Sequence, residues 1–522
     1  MSQLHVGKNL FRKGDQNIKK TIIHNPVMWA DVPDPDVIRV KDSYYMVSTS
    51  MHTMPGCPIM KSKDLAHWEI INYVFDTIED NEAHNLLDKR GIYGKGSWAA
   101  TLREHNGNYY VGFSSNDRNH FYLYKTEDIE CGHWKQTAVT EQMLYDPALL
   151  FDGDTPYVIC GNGDISVVEF EKDLSGIKKG GIQQEIINSP KEGIMLRCEG
   201  GHAYKINERY YLLYIEWPKL DNFRRRMVCY RSKNLLGPYE RKIILDDDMG
   251  YHNCGVAQGA IVDTEDGIWY AMLFQDHGAV GRIPIISPVN WVDGWPMIGI
   301  DGKVPEDFEI SLEEVLTEPL VISDDFNHIE NKLALNWQWN HNPDHSLWSF
   351  TQRPGYLRMT TGDITENGVL YARNTLTQRT EGPACTGITH VSLINMKSGD
   401  CAGLLALQST FGMVGVRKDK GNVKRVVMCT NSGDYQEKEE ESAVYEKDDI
   451  YLKITFDFKN NIDIASYYYS EDGESWISIG CDLNMKYRLD HFMGYRIGLF
   501  CYATKETGGF ADCDYFHYAL NQ

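Results

Sequence analysis

The chain has 522 residues, past the length at which one hydrophobic core keeps growing, so roughly two to four domains are expected. Lys and Arg number 52 against 74 Asp and Glu, and the resulting net charge of −22 repels phosphate backbones and anionic headgroups, which argues against nucleic acid and membrane partners. The polar opening MSQLHVGKNLFRKGDQNIKK lacks a secretory h-region and no apolar run is long enough to span a bilayer, so a cytoplasmic protein is expected. The 12 Cys form no C-x-x-C pair and have no nearby paired histidines of the kind zinc sites need, which points to reduced, buried thiols. Twelve Trp and 31 Tyr suit both β-sheet packing and stacking on sugar rings, and composition does not separate the two uses.

After an N-terminal extension (1–24), five segments repeat one pattern: a short apolar strand, a polar or Gly-containing turn, and an aromatic opening a second strand. They are VIRVKDSYYMVSTS from Val37, TLREHNGNYYVGFSS from Thr101, LLFDGDTPYVICG from Leu149, HAYKINERYYLLYIE from His202 and IVDTEDGIWYAMLF from Ile261. Their aromatic starts, Tyr44, Tyr109, Tyr157, Tyr210 and Trp269, recur roughly every 50 to 65 residues, in the manner of propeller repeats. SKDLAHWEI after the first segment and SKNLLGPYER after the fourth look like turns between third and fourth strands. A five-bladed β-propeller over 25–300 is therefore expected, with an irregular β-sandwich as the alternative.

Aligned without gaps just upstream of those strands, the five segments read Asp34-Pro-Asp-Val-Ile, Trp98-Ala-Ala-Thr-Leu, Asp146-Pro-Ala-Leu-Leu, Glu199-Gly-Gly-His-Ala and Gln258-Gly-Ala-Ile-Val. In a propeller the start of each innermost strand points into one central pocket. Taken singly, Asp34 or Asp146 before proline is an ordinary turn starter. Their equivalence across blades makes them, with Glu199, candidate catalytic groups.

The acidic stretch 301–321 reads as a linker along a surface. From 322 to 522 apolar and polar residues alternate with turn signals about every ten residues, which fits a two-sheet sandwich. The charged run GDYQEKEEESAVYEKDD reads as a solvated loop.

Glycoside hydrolysis needs one protonated carboxyl group for the leaving oxygen and one ionised group to activate water or attack the sugar. Asp34 and Glu199 suit those roles. Asp146 close to Glu199 would raise the glutamic acid's pKa by like-charge repulsion.

NPVMWADVPDPDVIRV, SKDLAHWEI, YDPALLFDGD, the E-G-G-H of RCEGGHAYKINERYYLLY and the G-R of HGAVGRIPIISPVNWVDGWP resemble glycoside hydrolase family 43, the β-xylosidases, α-L-arabinofuranosidases and arabinanases. NWQWNHNPD, WSFTQRPGYLRM and LYARNTLTQR resemble the concanavalin-like C-terminal domain of one branch of that family. The resemblance implies an inverting displacement with Asp34 as base, Glu199 as acid and Asp146 tuning the acid, the base and acid lying about 6.5 to 9.5 Å apart. It implies that Arg282 contacts substrate hydroxyls and that the sandwich can lend a loop to the pocket rim. Trp98 is expected to line the pocket, with a core role as the alternative. Family members often hold a calcium ion in the propeller channel, partly through a histidine; here Ala257 precedes Gln258-Gly259 where a related branch has His, which leaves His277 as candidate ligand.

The loop MHTMPGCPIM, with His52 as a substrate-contact candidate, lacks the aromatic walls of many family β-xylosidases. That favours release of terminal α-L-arabinofuranosyl residues from arabinoxylan or other plant-polysaccharide oligosaccharides, with β-xylosidase as the alternative. The fructan-cleaving propeller enzymes fit less well, because this chain has Pro33-Asp34-Pro35, Tyr145-Asp146-Pro147 and Cys198-Glu199 in place of their motifs. A glycan-binding propeller without activity would be favoured had one of the three carboxylates been absent.

Overall fold

A computed structural model describes residues 20–219, 223–365, 368–431 and 436–521. Residues 1–19 of the expected N-terminal extension lie outside the described residues. The chain forms an all-β molecule: a five-bladed propeller followed by a concanavalin-like sandwich.

Each blade is a four-stranded antiparallel sheet of consecutive strands. Blade I comprises Asp36–Val40, Ser43–Val47, Gly56–Ser62 and Glu69–Phe75. Blade II comprises Ser97–His105, Asn108–Ser115, His120–Thr126 and Lys135–Thr140. Blade III follows with Ala148–Asp152, Thr155–Asn162, Asp164–Glu169 and Gln183–Asn188. Ile194–Ile206, Arg209–Pro218, Arg226–Ser232 and Glu240–Leu245 make blade IV. Ala257–Asp263, Trp269–Asp276, Arg282–Val292 and Trp295–Ile298 make blade V. The turns are local in origin: Asn106-Gly107 and Asn207-Glu208 both take positive φ at two successive positions, the geometry that matches strand twist in a two-residue hairpin. Second strands such as Ser43–Val47 are buried throughout because a neighbouring blade covers each face.

The ring closes without a shared blade. Residues 25–32 run along the third strand of blade V, where Asn25 exchanges hydrogen bonds with Ile286 and Val32 N–H donates to Arg282 O at 2.9 Å. The stretch read as a linker contains a strand, Asp307–Glu313, which pairs with Lys20–His24.

One sandwich sheet runs, from its edge, through Lys438–Tyr445, Lys424–Asn431, Phe411–Lys418, Asp400–Leu407, Arg496–Ala503, Leu376–Arg379 and Gln338–Asn340. Its last member is Thr53–Met54 of the propeller, so the two domains share a sheet. The acidic run read as a loop is therefore, over Lys438–Tyr445, an edge strand. Charges on successive residues hide its two-residue period, and charged side chains are what keep an exposed edge from pairing with another chain.

Candidate active site

All five aligned positions, Asp34, Trp98, Asp146, Glu199 and Gln258, line one cavity of about 250 Å³ at the propeller centre. The backbone explains how. Asp34, Asp146 and Gln258 have φ of 53°, 44° and 64°, the left-handed region, and in the Glu199 row Gly200 takes that role at 66°. Left-handed backbone is sparsely populated by residues with a Cβ, and Asp pays least because its short side chain bonds locally. Blades II, IV and V carry bulges at Ser97/Ala100, Glu199/His202 and Ala257/Gly259, which turn side chains out of register and toward the axis. Gly200 has a further reason to be glycine: a Cβ there would stand 2.4 Å from the Gln258 side chain.

Both oxygens of buried Asp34 accept a hydrogen bond, Oδ2 from the Thr49 hydroxyl and Oδ1 from Arg282 Nη1, each at 2.6 Å. Asp146 Oδ2 accepts from the Gly200 N–H at 2.7 Å. Glu199 Oε2 accepts from Asn162 Nδ2 at 3.0 Å and from the Tyr145 hydroxyl at 3.2 Å. Burial, then repulsion by Glu199, pushes Asp146 well above the usual carboxylate range. Burial also raises Glu199, against the pull of Arg225 and Arg282. A buried acid whose protonated form is favoured, in one cavity with a second carboxyl group held by two hydrogen bonds, is the pairing acid–base chemistry requires.

Arg282 faces the cavity, where its Nη1 is taken by Asp34. Trp98 also lines it, donating Nε1–H to Gly94 O at 3.1 Å and meeting Tyr145 and Phe492 edge-on. His52 does not reach it: its ring is buried against Tyr93, His341 and His491, with centroids 4.7 to 5.2 Å apart, under the domain junction. The Thr53–Met54 strand next to it is drawn into the sandwich sheet, and His52 follows that strand away from the cavity.

His277 lies outside the cavity lining, bonded through Nε2 to Gln275 Oε1 at 2.7 Å and stacked on Tyr251 at 3.8 Å; burial lowers its pKa to about 3. Calcium takes six to eight oxygen ligands. Among the described residues no three His, Cys, Asp or Glu side chains converge in a metal-binding group. These residues do not fit a calcium site centred on His277.

Several cavity residues carry no motif in the sequence. Arg225 and Trp217 come from blade IV, while Leu489 and Phe492 come from a sandwich loop more than two hundred residues downstream. The Tyr145 and Asn162 contacts to Glu199 depend on a neighbouring blade. Only Tyr145 stood out, as the residue before Asp146.

Residues 23–296 match the model of glycosyl hydrolases family 43, and residues 323–519 match the β-xylosidase C-terminal concanavalin A-like domain. A β-xylosidase of Formosa agariphila is 28% identical over 95% of this chain and 90% of its own. A putative β-xylosidase of Xylanibacter ruminicola is 30% identical over 89% and 84%. A non-reducing-end α-L-arabinofuranosidase of Bacteroides ovatus is 29% identical over 66% of each chain. Among solved structures, a bifunctional family 43 and CE protein of Bacteroides eggerthii superposes with a TM-score of 0.89 at 43% identity, covering 97% of this chain. This chain spans 64% of that protein's length.

Proposed function

Because the chain belongs to glycoside hydrolase family 43 and is a glycoside hydrolase, we propose that it releases one terminal pentosyl residue at a time from xylan-derived oligosaccharides, by a single inverting displacement. The observation that carries this reading is the convergence of Asp34, Asp146 and Glu199 in one cavity of about 250 Å³. That volume suits a single five-carbon ring with its attacking water, which favours chain ends over internal bonds.

Asp34 is the general base. Its two oxygens are held by Thr49 and Arg282, so the carboxylate is fixed for deprotonating a water. Glu199 is the general acid, with burial favouring its protonated form. Tyr145 and Asn162 occupy Oε2, which leaves Oε1 to carry the proton to the leaving oxygen. Asp146, itself pushed up by burial and by Glu199, accepts the Gly200 N–H and so braces the backbone beside the acid. Trp98 and Phe492 form apolar walls for the sugar faces.

The β-D-xylosyl group is the leading substrate, supported by relatives named β-xylosidase that cover most of this chain and by the match to a β-xylosidase C-terminal domain. The preference for arabinofuranose argued from the loop at His52 loses its ground, since His52 faces away from the cavity. The α-L-arabinofuranosyl group is the second reading, favoured by the Bacteroides ovatus relative. Initial rates on 4-nitrophenyl β-D-xylopyranoside and α-L-arabinofuranoside separate them: a higher kcat/KM on the xyloside supports the first, the reverse ratio the second. Turnover of neither, or full turnover by Asp34→Asn, would overturn the proposal.

A further inference from the structure

The guanidinium of Arg282 is gripped from both domains. On the propeller side Nη1 donates to Asp34 at 2.6 Å, Nε lies 3.3 Å from Asp276 Oδ1, and the plane stacks on Phe274 at 4.4 Å. On the sandwich side it lies over Phe492 at 4.0 Å, and Nε donates to the Tyr487 hydroxyl at 3.1 Å. That hydroxyl in turn donates to Asp276 Oδ1 at 2.8 Å. Asp276 also pairs through Oδ2 with Arg225, the second arginine of the cavity. Burial disfavours the ionised Asp276, but Arg225, Arg282 and Tyr487 together outweigh it and hold its pKa below the usual value.

We propose that Tyr487 is a positioning residue for the catalytic base, acting with Asp276 to fix Arg282 against Asp34, so that the sandwich completes the active site as well as bounding it. The inference rests on Asp34 being the base of the proposed reaction. An arginine side chain has several rotatable bonds whose freedom is costly to remove, and two aromatic rings and one hydroxyl from separate domains remove it before substrate arrives. The hydroxyl serves in both directions, accepting from Arg282 and donating to Asp276, which phenylalanine cannot reproduce. Without it, buried Nε keeps only the long contact to Asp276, the guanidinium can rotate, and Asp34 Oδ1 loses a fixed partner. A base displaced by about an ångström costs on the order of a hundredfold in rate.

Tyr487→Phe tests this in the full chain. The expected fingerprint is a fall in kcat of about ten- to a hundredfold with KM changed less than about threefold. The factor should be the same for aryl glycosides and for a disaccharide, because water activation is impaired and leaving-group protonation is not. Glu199→Gln, by contrast, should lose far more on the disaccharide than on the nitrophenyl glycoside. Asp276→Asn should give the same fingerprint, which keeps the test open if Tyr487→Phe folds poorly. Unchanged kcat in a folded Tyr487→Phe, a change in KM alone, or a loss much larger on the disaccharide than on the aryl glycoside would overturn the inference. Wild-type turnover that is abolished by Asp34→Asn but untouched by Tyr487→Phe would sink this inference and leave the hydrolase reading standing.

Discussion

Tyr145 and Asn162 converge on Oε2 of Glu199, and each favours the ionised form of the acid by donating to it. Removing one donor should therefore raise the pKa of Glu199. In Tyr145→Phe the basic limb of the kcat/KM profile is expected to shift to higher pH. A shift to lower pH would mean that the tyrosine supports the protonated acid instead. Glu199→Gln should lower kcat on a disaccharide by about 10² to 10⁴-fold, the usual contribution of general acid catalysis. Its effect on a nitrophenyl glycoside should be smaller, because that leaving group departs without a proton.

At the scale of elements, strand starts and bulges aim the chemistry, and they also store strain. Gly281, just before the strand that carries Arg282, has φ of 103°, and a Cβ there would stand 2.1 Å from Asp31 Oδ1. That Asp31 oxygen accepts the Arg282 N–H at 2.8 Å, so the glycine sits inside the junction that places the arginine. Gly281→Ala is expected to cost roughly 2 to 4 kcal/mol, seen as a lower thermal midpoint, from backbone strain and displacement of a buried carboxylate. The blade repeat and the equivalence of Asp34, Asp146 and Glu199 were legible in the sequence because both follow from local hairpin patterns. Tyr487 and Phe492 were not, because their roles depend on a loop that reaches the cavity from another domain and has no periodicity of its own. The edge strand Lys438–Tyr445 was hidden by its charges. His52 was misplaced for a related reason: local sequence does not reveal that its neighbours Thr53 and Met54 pair with Gln338–Asn340.

Across the whole molecule, the junction between propeller and sandwich is both structural and functional. It shares a sheet, carries the loop that supplies Tyr487, Leu489 and Phe492, and encloses a group of neutral histidines. Burial holds His491 at about 4 and His52 and His341 well below the ordinary 6.5. His341 Nε2 accepts the Ile92 N–H at 2.9 Å, a bond that protonation would forfeit. These folded-state pKa values lie below those of the unfolded chain, so the unfolded chain takes up protons first. The share of stability these histidines contribute is full above about pH 6.5 and falls as pH drops toward 4, with His491 alone contributing on the order of 3 kcal/mol to the loss, while Asp31, Asp400, Asp463 and Glu381, whose pKa values burial raises, act in the opposite direction over the same window. Measured from pH 7.5 to 4.5, the thermal midpoint of His491→Gln relative to the wild type should rise as pH falls; a difference independent of pH would remove His491 from the explanation.

The stereochemistry of the first product tests the division of labour between Asp34 and Glu199 most directly. Proton NMR of xylobiose hydrolysis, recorded before mutarotation, should show α-xylose appearing first from the non-reducing unit, as water attacks opposite the departing sugar. First appearance of β-xylose would require a covalent intermediate and a carboxylate acting as nucleophile, and would contradict the roles assigned to both residues.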